Sequence, residues 1–246
     1  MENLKIIQIT DLHIGWQDEM PYGVNVRQNY ELLLSALKNE QFDFLAISGD
    51  LCFRDADVDS YQWIKRKLDL SSYKYYLIPG NHDDPDLIAR VFGCKNFLYN
   101  HELYFHKKVK NRHILFLDTS KGSLSGEQLH WIKMQLNTIN QPVIVFIHHP
   151  PALANVKYMD NNWALLNREE LQNVFYKFKQ NMYIFCGHYH VEKTVQIKNL
   201  NIYITPSPFF NIKHDTENFE IDNYKIGYRI IEFIENTLIT TVKYIS

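Results

Sequence analysis

Residues 6–13 read IIQITDLH, a short apolar run that is followed at once by a carboxylate, Asp11, and an imidazole, His13. A short run that is apolar on both faces is typical of a strand buried between two layers. Similar runs recur along the chain, and most of them are rich in β-branched or aromatic residues. From these runs we predict strands at residues 6–10, 44–48, 75–78, 114–117, 143–147 and 183–186.

Between these strands lie segments with the apolar spacing of an amphipathic helix. Three such stripes run from residue 26 to 37, from 129 to 139 and from 171 to 178. Ser125 is the predicted N-cap of the second helix, which would begin at Gly126. After about residue 190 the pattern changes to strands alone, which we predict at residues 194–198, 201–205, 228–234 and 238–244.

The chain reads as one unit. No linker rich in Gly, Ser or Pro divides it, and its 246 residues lie within the range of a single layered domain. Hydrophobic residues make up 46% and charged residues 22%, which indicates a globular chain rather than a disordered one. We therefore predict one α/β domain over residues 1–246, with strands in two packed sheets and helices outside.

Charge and cysteine content limit the partners and the compartment. The net charge is −2, so a large nucleic-acid interface is not expected. No run of 18 apolar residues is present and the first residues lack the features of a signal peptide, so we expect no membrane association. Cys52, Cys94 and Cys186 form neither a disulfide framework nor a CxxC pair, which favours reduced thiols in the cytoplasm.

Five of the predicted strands end in residues that can bind metals. In α/β sheets ligands gather beyond the carboxyl ends of the strands, so we expect these groups to converge. Carboxylate, carboxamide and imidazole groups together suit first-row metals such as Mn, Fe, Co, Ni or Zn. The five strand ends are Asp11-Leu12-His13, Gly49-Asp50, Gly80-Asn81-His82-Asp83, His148-His149-Pro150 and Gly187-His188-Tyr189-His190.

Each of these motifs by itself has an ordinary structural explanation. Gly-Asp and Gly-Asn pairs are common in turns, and His148-His149 could be two core histidines at the end of a strand. Together, however, the motifs would remove eight polar groups from solvent, which is costly unless those groups are paired or bound to metal. The series as a whole therefore predicts a metal site.

The complete series resembles that of the calcineurin-like metallophosphoesterases. It runs from residue 11 to residue 190 and is most similar to class III cyclic nucleotide phosphodiesterases and their glycerophosphodiesterase relatives. The run His148-His149-Pro150-Pro151 and the strand end Leu117-Asp118-Thr119 add to this likeness. The resemblance implies a four-layer α/β/β/α sandwich, in which two mixed sheets are flanked by helices.

The resemblance also implies a set of metal ligands. Two divalent or trivalent transition-metal ions, of Mn, Fe, Zn, Co or Ni, are the expected cofactors. His149 occupies a position that varies in the family, and we rank it below the other candidates. The implied ligands are, for a first ion, Asp11, His13 and His190; for a second ion, Asn81, His148 and His188; and, as the bridge between them, Asp50.

A catalytic role is implied for two residues of the third motif. His82 is expected to face the substrate, where it would stabilise charge or protonate the leaving alkoxide. A hydroxide held between the two ions would attack phosphorus. Asp83 would orient His82 or a metal ligand, and a turn-capping role is the alternative. Asn81 and His13 are expected to lie beside the substrate as well.

The predicted function is hydrolysis of small phosphodiesters, with 3′,5′-cyclic nucleotides as the leading candidates. The alternatives are a phosphomonoesterase, a nucleotide pyrophosphohydrolase or a nuclease of the same family, and a metal-free scaffolding protein. Phe53 stands where purple acid phosphatases carry a metal-binding Tyr, and His82 stands where lipid A pathway pyrophosphatases usually carry Arg. Both differences disfavour those branches. Relatives are often dimers, so a homodimer is expected at the level of the family.

Several aromatic residues lie near the motif loops or in a late polar connection. They could stack on a nucleobase. In a chain with 14% aromatic residues, packing in the core or at its rim is the favoured alternative. These residues are Trp16, Tyr22, Phe53, Phe209 and Phe210.

Overall fold

The computed structural model describes residues 2–245. Each of the ten predicted strands is found within two residues of its predicted bounds. The helices are α1 (Val26–Leu37), α2 (Val58–Ser71), α3 (Pro85–Val91), α4 (Gly126–Asn137), α5 (Lys157–Asn162) and α6 (Arg168–Phe175). The strands are β1 (Leu4–Ile9), β2 (Phe44–Ser48), β3 (Tyr75–Ile78), β4 (Leu98–Tyr99), β5 (Glu102–Leu103), β6 (Phe105–Val109), β7 (Arg112–Leu117), β8 (Val143–Ile147), β9 (Met182–Cys186), β10 (Lys193–Ile197), β11 (Leu200–Ile204), β12 (Asn211–Ile212), β13 (Ile221–Asn223), β14 (Ile226–Ile234) and β15 (Thr237–Ile245).

The long strands form two mixed sheets. The first has the order β15-β14-β1-β2-β3, and the second has the order β10-β11-β9-β8-β7-β6. In the first sheet β1, β2 and β3 are parallel, whereas β14 pairs antiparallel with both of its neighbours. In the second sheet four central strands are parallel and an antiparallel strand closes each edge. Two mixed sheets flanked by helices confirm the predicted fold class.

The central strands are apolar on both faces because each face meets a different layer. In β1, Leu4 and Ile6 belong to the core between the two sheets, whereas Ile7 and Ile9 belong to the core that includes the helices. The inter-sheet core contains rings on neighbouring strands of the second sheet, with successive centroids 4.5, 5.2 and 5.6 Å apart. These rings belong to Phe105, Phe116, Phe146 and Phe185.

The three predicted helical stripes are confirmed by α1, α4 and α6. Ser125 caps α4 as predicted, since its side chain accepts a hydrogen bond from the backbone N–H of Gln128. Sequence reasoning missed α2 and α3, although Asp57 and Asp84 cap them in the same way. Among the helices that the structure describes, none combines the length and apolar composition that a membrane crossing needs.

A buried polar network ties the two sheets together near the ends of β1, β2 and β9. The side-chain amide of Gln8 donates to Ser48 Oγ at 2.8 Å and to the carbonyl oxygen of Cys186 at 3.3 Å. Thr205 Oγ1 donates to Gln8 Oε1, and Arg229 Nε donates to Thr205 Oγ1 at 2.9 Å. Every partner is satisfied, so the network holds the two sheets in register where the metal-binding motifs begin.

Candidate dinuclear metal centre

The motif loops meet because backbone hydrogen bonds continue beyond the strand ends. The N–H of Asp11 donates to the carbonyl oxygen of Gly49 at 2.9 Å, and that of Gly187 donates to the carbonyl oxygen of His148 at 3.0 Å. A further hydrogen bond joins the two sheets here, since the backbone N–H of His188 lies 3.0 Å from both carboxylate oxygens of Asp11. The predicted convergence of the strand ends is therefore observed.

Backbone strain is concentrated at the predicted ligands. Few residues other than glycine adopt a positive φ angle, although Asp and His do so more often than most, and the strain costs on the order of 1–3 kcal/mol for each residue. A fold keeps strain of this kind only where the surrounding structure enforces it, and it clusters at functional sites. Five of the seven predicted ligands have a positive φ: Asp11 (55°), His13 (46°), Asp50 (51°), His188 (65°) and His190 (50°).

Glycines make room for this crowding. A Cβ atom at Gly49 would overlap the ring of His148, and Gly49 also has a φ of 102° that favours glycine. A Cβ atom at Gly80 would overlap the carboxylate of Asp50. At Gly187 it would overlap the side chains of Thr10 and Asp11. These three glycines, which precede Asp50, Asn81 and His188, are thus required by the close approach of neighbouring side chains.

Replacing Gly187 by alanine is expected to lower the free energy of unfolding by about 1–3 kcal/mol, the usual cost of overpacking a filled site. Urea-induced unfolding of the wild type and the variant measures this loss. Gly126→Ala is the matched control, because a Cβ atom at Gly126 meets no neighbour within 4 Å. Equal stability of the two alanine variants would contradict the crowding seen at Gly187.

Six of the predicted ligands, together with His82, form three overlapping groups in which the candidate ligand atoms lie within 4.8 Å of one another. His13 Nε2 lies 3.0 Å from His190 Nε2, and His190 Nε2 lies 3.4 Å from Asp11 Oδ1. Asp50 Oδ2 lies 3.2 Å from His148 Nε2 and 3.7 Å from His13 Nε2. The groups are Asp11, His13 and His190; His13, Asp50 and His82; and Asp50, His148 and His188.

Backbone carbonyl groups orient three of the imidazoles. His148 Nδ1 lies 2.9 Å from the carbonyl oxygen of Ser48, and His190 Nδ1 lies 3.0 Å from that of Phe210. His188 uses its other nitrogen, since Nε2 lies 2.9 Å from a carbonyl oxygen. A carbonyl oxygen only accepts hydrogen bonds, so each of these nitrogens carries the proton when the ring is neutral. The second nitrogen keeps a free lone pair, as in histidines that bind metals.

The donor set fits transition-metal ions. Two ligands at about 2.1 Å from one ion and at angles of roughly 90–110° lie about 3.0–3.4 Å apart, and the spacings of His13, His190 and Asp11 fall in this range. His148 Nε2 is buried beside Asp50 without hydrogen-bond geometry. A buried polar atom without a partner is rare and calls for an explanation such as an ion. The site therefore has the composition, spacing and free lone pairs that metal ligation needs.

The protonation states of Asp50, His13 and His188 also favour metal binding. Burial opposes the charge of Asp50, but His148, His13 and His82 outweigh it and hold the pKa of Asp50 well below its usual range. Burial lowers the pKa of His13 to about 3 and that of His188 to about 4, which keeps both imidazoles neutral. Ionised carboxylates and neutral imidazoles are the forms that bind metals. Against the opposing effect of burial, Asp50 raises the pKa of His148 to about 9, so this ring is protonated without an ion, and a metal bound at its Nε2 would release that proton.

The third motif divides its residues between two environments. His82 is half-buried at the mouth of the site, with Nδ1 2.6 Å from the carbonyl oxygen of Arg54 and Nε2 4.0 Å from Asp50 Oδ2. Its backbone N–H donates to Asp50 Oδ1 at 3.0 Å. Asn81 is exposed and lines the same cavity. Sequence reasoning did not identify the carbonyl group of Arg54, because a backbone acceptor carries no signature in the sequence.

Asp83 points to the backbone around Asp50 rather than to the ring of His82. Its carboxylate accepts hydrogen bonds from the backbone N–H groups of Leu51 and Gly80, at 3.1 and 2.9 Å, and from the hydroxyl group of Tyr61 at 2.9 Å. Burial, together with the charge of Asp50, raises the pKa of Asp83 to about 6. These contacts match the turn-capping alternative, and they hold the turn that follows Asp50.

His149 lies behind the cluster. Its ring centroid is 4.0 Å from that of His188, and its Nδ1 is 2.8 Å from Thr119 Oγ1. Burial and the neighbouring histidines hold the pKa of His149 well below its usual range. His149 belongs to none of the three ligand groups among the described residues, in keeping with its lower rank in the sequence analysis.

A cavity of about 420 Å³ opens beside the cluster. Phe209 and Phe210 are buried, as the packing interpretation predicts, yet both also line this cavity, whereas Trp16 does not. Sequence reasoning missed further lining residues, since they belong to segments that contain no predicted ligand. They are Tyr158, Met159, Trp163, Ile212 and Phe219.

Comparison with known proteins identifies relatives by sequence. A "Probable cyclic nucleotide phosphodiesterase" from Fibrobacter succinogenes is 35% identical over 239 residues, which cover 97% of this chain and 93% of the relative. The "3′,5′-cyclic adenosine monophosphate phosphodiesterase CpdA" of Escherichia coli K12 is 28% identical and covers 97% of this chain and 88% of the relative. A "Probable glycerophosphodiester phosphodiesterase GpdQ" from Arcobacter nitrofigilis is 28% identical and covers 85% of this chain and 80% of the relative.

Solved structures agree on the fold. A dimetal phosphatase from Danio rerio superposes with a TM-score of 0.69 at 12% identity, over 93% of this chain and 95% of that one. A purple acid phosphatase from yellow lupin superposes with a TM-score of 0.70 at 13% identity, over 99% of this chain and 52% of that one. The model of the family described as calcineurin-like phosphoesterase matches residues 4–192, and the chain belongs to that family.

Proposed function

We propose that this chain is a metal-dependent phosphodiesterase that hydrolyses small phosphodiesters, with 3′,5′-cyclic nucleotides as leading substrates. The observation that carries the proposal is the buried group of carboxylates and imidazoles that opens into a cavity of about 420 Å³. Relatives named as phosphodiesterases for cyclic nucleotides and for glycerophosphodiesters support it. The proposed ligands of two ions, of Mn, Fe, Zn, Co or Ni, are Asp11, His13, Asp50, Asn81, His148, His188 and His190.

When bound, the two ions supply Lewis acidity at the phosphate and lower the pKa of water. The chain's own residues then hold the reacting groups in place. Asp50 lies between the group around His13 and the group around His148, which suits a carboxylate shared by both ions. Carbonyl oxygens hold one nitrogen of His148, His188 and His190, so the second nitrogen of each ring is the one available to an ion. The site is thus organised before the substrate binds.

His82 is the proposed acid in the reaction. The carbonyl group of Arg54 fixes the proton on Nδ1, so Nε2 faces Asp50 and the cavity. A protonated ring at this position can donate its Nε2 proton to the leaving alkoxide or stabilise charge on the phosphate. Asp83 is proposed as a positioning residue, because it binds the turn after Asp50 through the backbone of Leu51. Asn81 and His13 line the cavity and are proposed to contact the substrate.

The remaining predictions concern the compartment, the oligomeric state and the number of domains. The three cysteines are free thiols, which favours the reducing cytoplasm as the compartment. A homodimer and a single domain over residues 1–246 stay predictions. The alternative of a metal-free scaffolding protein receives little support, since six of the predicted ligands belong to groups of carboxylates and imidazoles that could hold a metal ion.

A substrate panel tests the function. Metal-stripped protein reloaded with Mn²⁺ is expected to hydrolyse diesters with a kcat/KM at least about tenfold above that for monoesters, a difference of about 1.4 kcal/mol. The reason is charge, because a diester carries one negative charge and the cavity is lined by no lysine or arginine among the described residues. The panel compares cyclic AMP with AMP, a glycerophosphodiester with glycerol phosphate, and bis(nitrophenyl) phosphate with nitrophenyl phosphate, so that the leaving groups are matched.

Two outcomes of the panel would contradict the proposal. Faster hydrolysis of the monoester than of the diester in every pair would place the chain in the phosphomonoesterase branch. Protein that binds no metal by elemental analysis and hydrolyses none of the esters would instead favour the scaffolding alternative. The metal analysis is therefore carried out on the same preparation as the kinetics.

A further inference from the structure

The cavity beside the metal cluster has a second wall that the reaction at phosphorus does not use. This wall is made of aromatic side chains from three separate segments of the chain. We name it the aromatic wall. It consists of Tyr22, Tyr158, Trp163, Phe209, Phe210 and Phe219.

The aromatic wall begins directly at the metal cluster. The ring of Phe210 lies 4.8 Å from the ring of His190 and 5.3 Å from the ring of Tyr22, between centroids. Tyr22 in turn lies 5.8 Å from Phe219, and Phe219 lies 5.8 Å from Tyr158. A group attached to a phosphate at the cluster would therefore lie against these rings.

Tyr22 is held at this place in a strained conformation. Its φ of 49° is exceptional for a bulky side chain, and it lies within the turn Pro21–Gly23. The turn is closed by a hydrogen bond from the N–H of Gly23 to the carbonyl oxygen of Met20 at 3.0 Å. Tyr22 nevertheless remains 57% exposed, so burial in the core does not offset the strain. The strained turn instead holds the ring against those of Phe53, Phe209, Phe210 and Phe219.

The charges around the cavity limit what the wall can hold. No lysine or arginine is found among the described residues that line it, and Asp50 is its one carboxylate. Arg54 is nearby, but its guanidinium lies 5.2 Å from the ring of Phe53 and 3.4 Å from Glu19 Oε1. A second phosphate or carboxylate on the substrate would therefore meet no cation on this side. Neutral, flat groups suit a wall of aromatic rings, since ring faces stack on one another.

We propose that Tyr22, Phe210 and Phe219 form a subsite that stacks the neutral aromatic base of a nucleotide diester, and that Tyr22 determines specificity for such substrates. The inference rests on the proposed phosphodiesterase function for its kinetic consequence. The claim that the site binds a base depends only on the geometry of the aromatic wall. The subsite would favour cyclic nucleotides over diesters of glycerol.

Adenosine is the probe for the base subsite, because it carries the ring but no phosphate and cannot be hydrolysed as a diester. Its binding to the metal-loaded protein is measured by quenching of tryptophan fluorescence and by calorimetry. Tyr22→Gly removes the ring and relieves the positive φ at once, so the variant is expected to fold with an unchanged or higher Tm. Its affinity for adenosine is expected to fall roughly tenfold, since base stacking on one aromatic side chain has about this effect.

Two further variants complete the design. Phe219→Leu keeps an apolar side chain but removes a ring of the wall, and a smaller loss of adenosine affinity is expected. Trp16→Ala is the matched control, because Trp16 is 65% exposed in the same loop and does not line the cavity. Its affinity for adenosine is expected to equal that of the wild type. Equal affinity of the wild type and Tyr22→Gly, at normal Tm, would overturn the subsite.

The kinetic measurement separates this inference from the proposed function. The ratio of kcat/KM for cyclic AMP to that for glycerophosphoglycerol is expected to fall about tenfold in Tyr22→Gly. An unchanged ratio would overturn the role of Tyr22 in specificity. If neither diester is hydrolysed but adenosine binding still depends on Tyr22, the phosphodiesterase proposal fails and the base subsite stands.

Discussion

Asp50→Asn is expected to abolish the binding of two metal ions and to lower phosphodiesterase activity on the order of 10³-fold. Asp50 lies beside both imidazole groups, 3.7 Å from His13 Nε2 and 3.2 Å from His148 Nε2, whereas Asp11 Oδ1 lies farther from His148 Nε2, at 3.9 Å. Asparagine has the same shape, so it can still accept the hydrogen bond from the backbone N–H of His82. It lacks the charge that a shared ligand of two cations must supply. Metal content per chain and kcat measure the loss.

Thermal unfolding gives a second measurement for Asp50. Metal at about 100 times its dissociation constant adds about 2.7 kcal/mol to the stability of the wild type. For a chain of this size we expect a rise in Tm of roughly 5–10 °C. The rise should be lost in Asp50→Asn.

Asp118→Asn is the matched control for Asp50→Asn. Asp118 is also buried at a strand end, where it accepts hydrogen bonds from the backbone N–H groups of Leu103 and Ser120. Burial raises the pKa of Asp118 to about 6, so loss of its charge costs less than at Asp50. The control is expected to keep its metal ions. Two ions per chain in Asp50→Asn would refute the assignment of the bridge.

His82→Ala is expected to keep both metal ions while activity falls roughly 10²–10⁴-fold, the usual contribution of a positioned acid–base group. The ring of His82 is oriented by the carbonyl group of Arg54 and reaches only to 4.0 Å from Asp50 Oδ2. The loss should be smaller for nitrophenyl diesters than for alkyl diesters, because nitrophenolate leaves without a proton. Single-turnover kinetics on both classes of diester, with metal analysis of the same sample, measure the effect.

A surface histidine provides the control for His82→Ala. The side chain of His101 is exposed and forms a hydrogen bond with Asp86 at 2.8 Å, far from any predicted ligand in sequence. His101→Ala is expected to keep normal activity, since an exposed pair of this kind contributes at most about 1 kcal/mol. Equal losses on alkyl and nitrophenyl diesters in His82→Ala would leave charge stabilisation as its role. Loss of metal in that variant would refute the assignment to catalysis.

The strands of the two sheets could be predicted because their residues favour an extended backbone and are also apolar enough to be buried on both faces. Residues 143–147 are β-branched or aromatic throughout, and both faces of β8 are buried. The helices were less readable. In α2 only Ser60, Tyr61, Ile64 and Leu68 are buried, and the charged residues between them obscure the apolar stripe. The strand β6 was missed because its exposed edge carries lysines, which a sheet edge tolerates but a sequence pattern does not distinguish from a loop.

The sequence by itself determined which chemical groups stand at the ends of the strands, since those groups follow the apolar runs directly and the strands end at one side of each sheet. Only the tertiary structure decided which atom of each group faces its neighbours. The carbonyl oxygens that set the protons on His148, His188 and His190 belong to residues as distant as Ser48, Trp163 and Phe210. The tertiary structure also decided the partners of Asp83, which include Tyr61. It likewise assembled the aromatic wall, whose rings come from three separate segments of the chain. Backbone acceptors and long-range packing depend on how the two sheets meet, and no local pattern in the chain records that geometry.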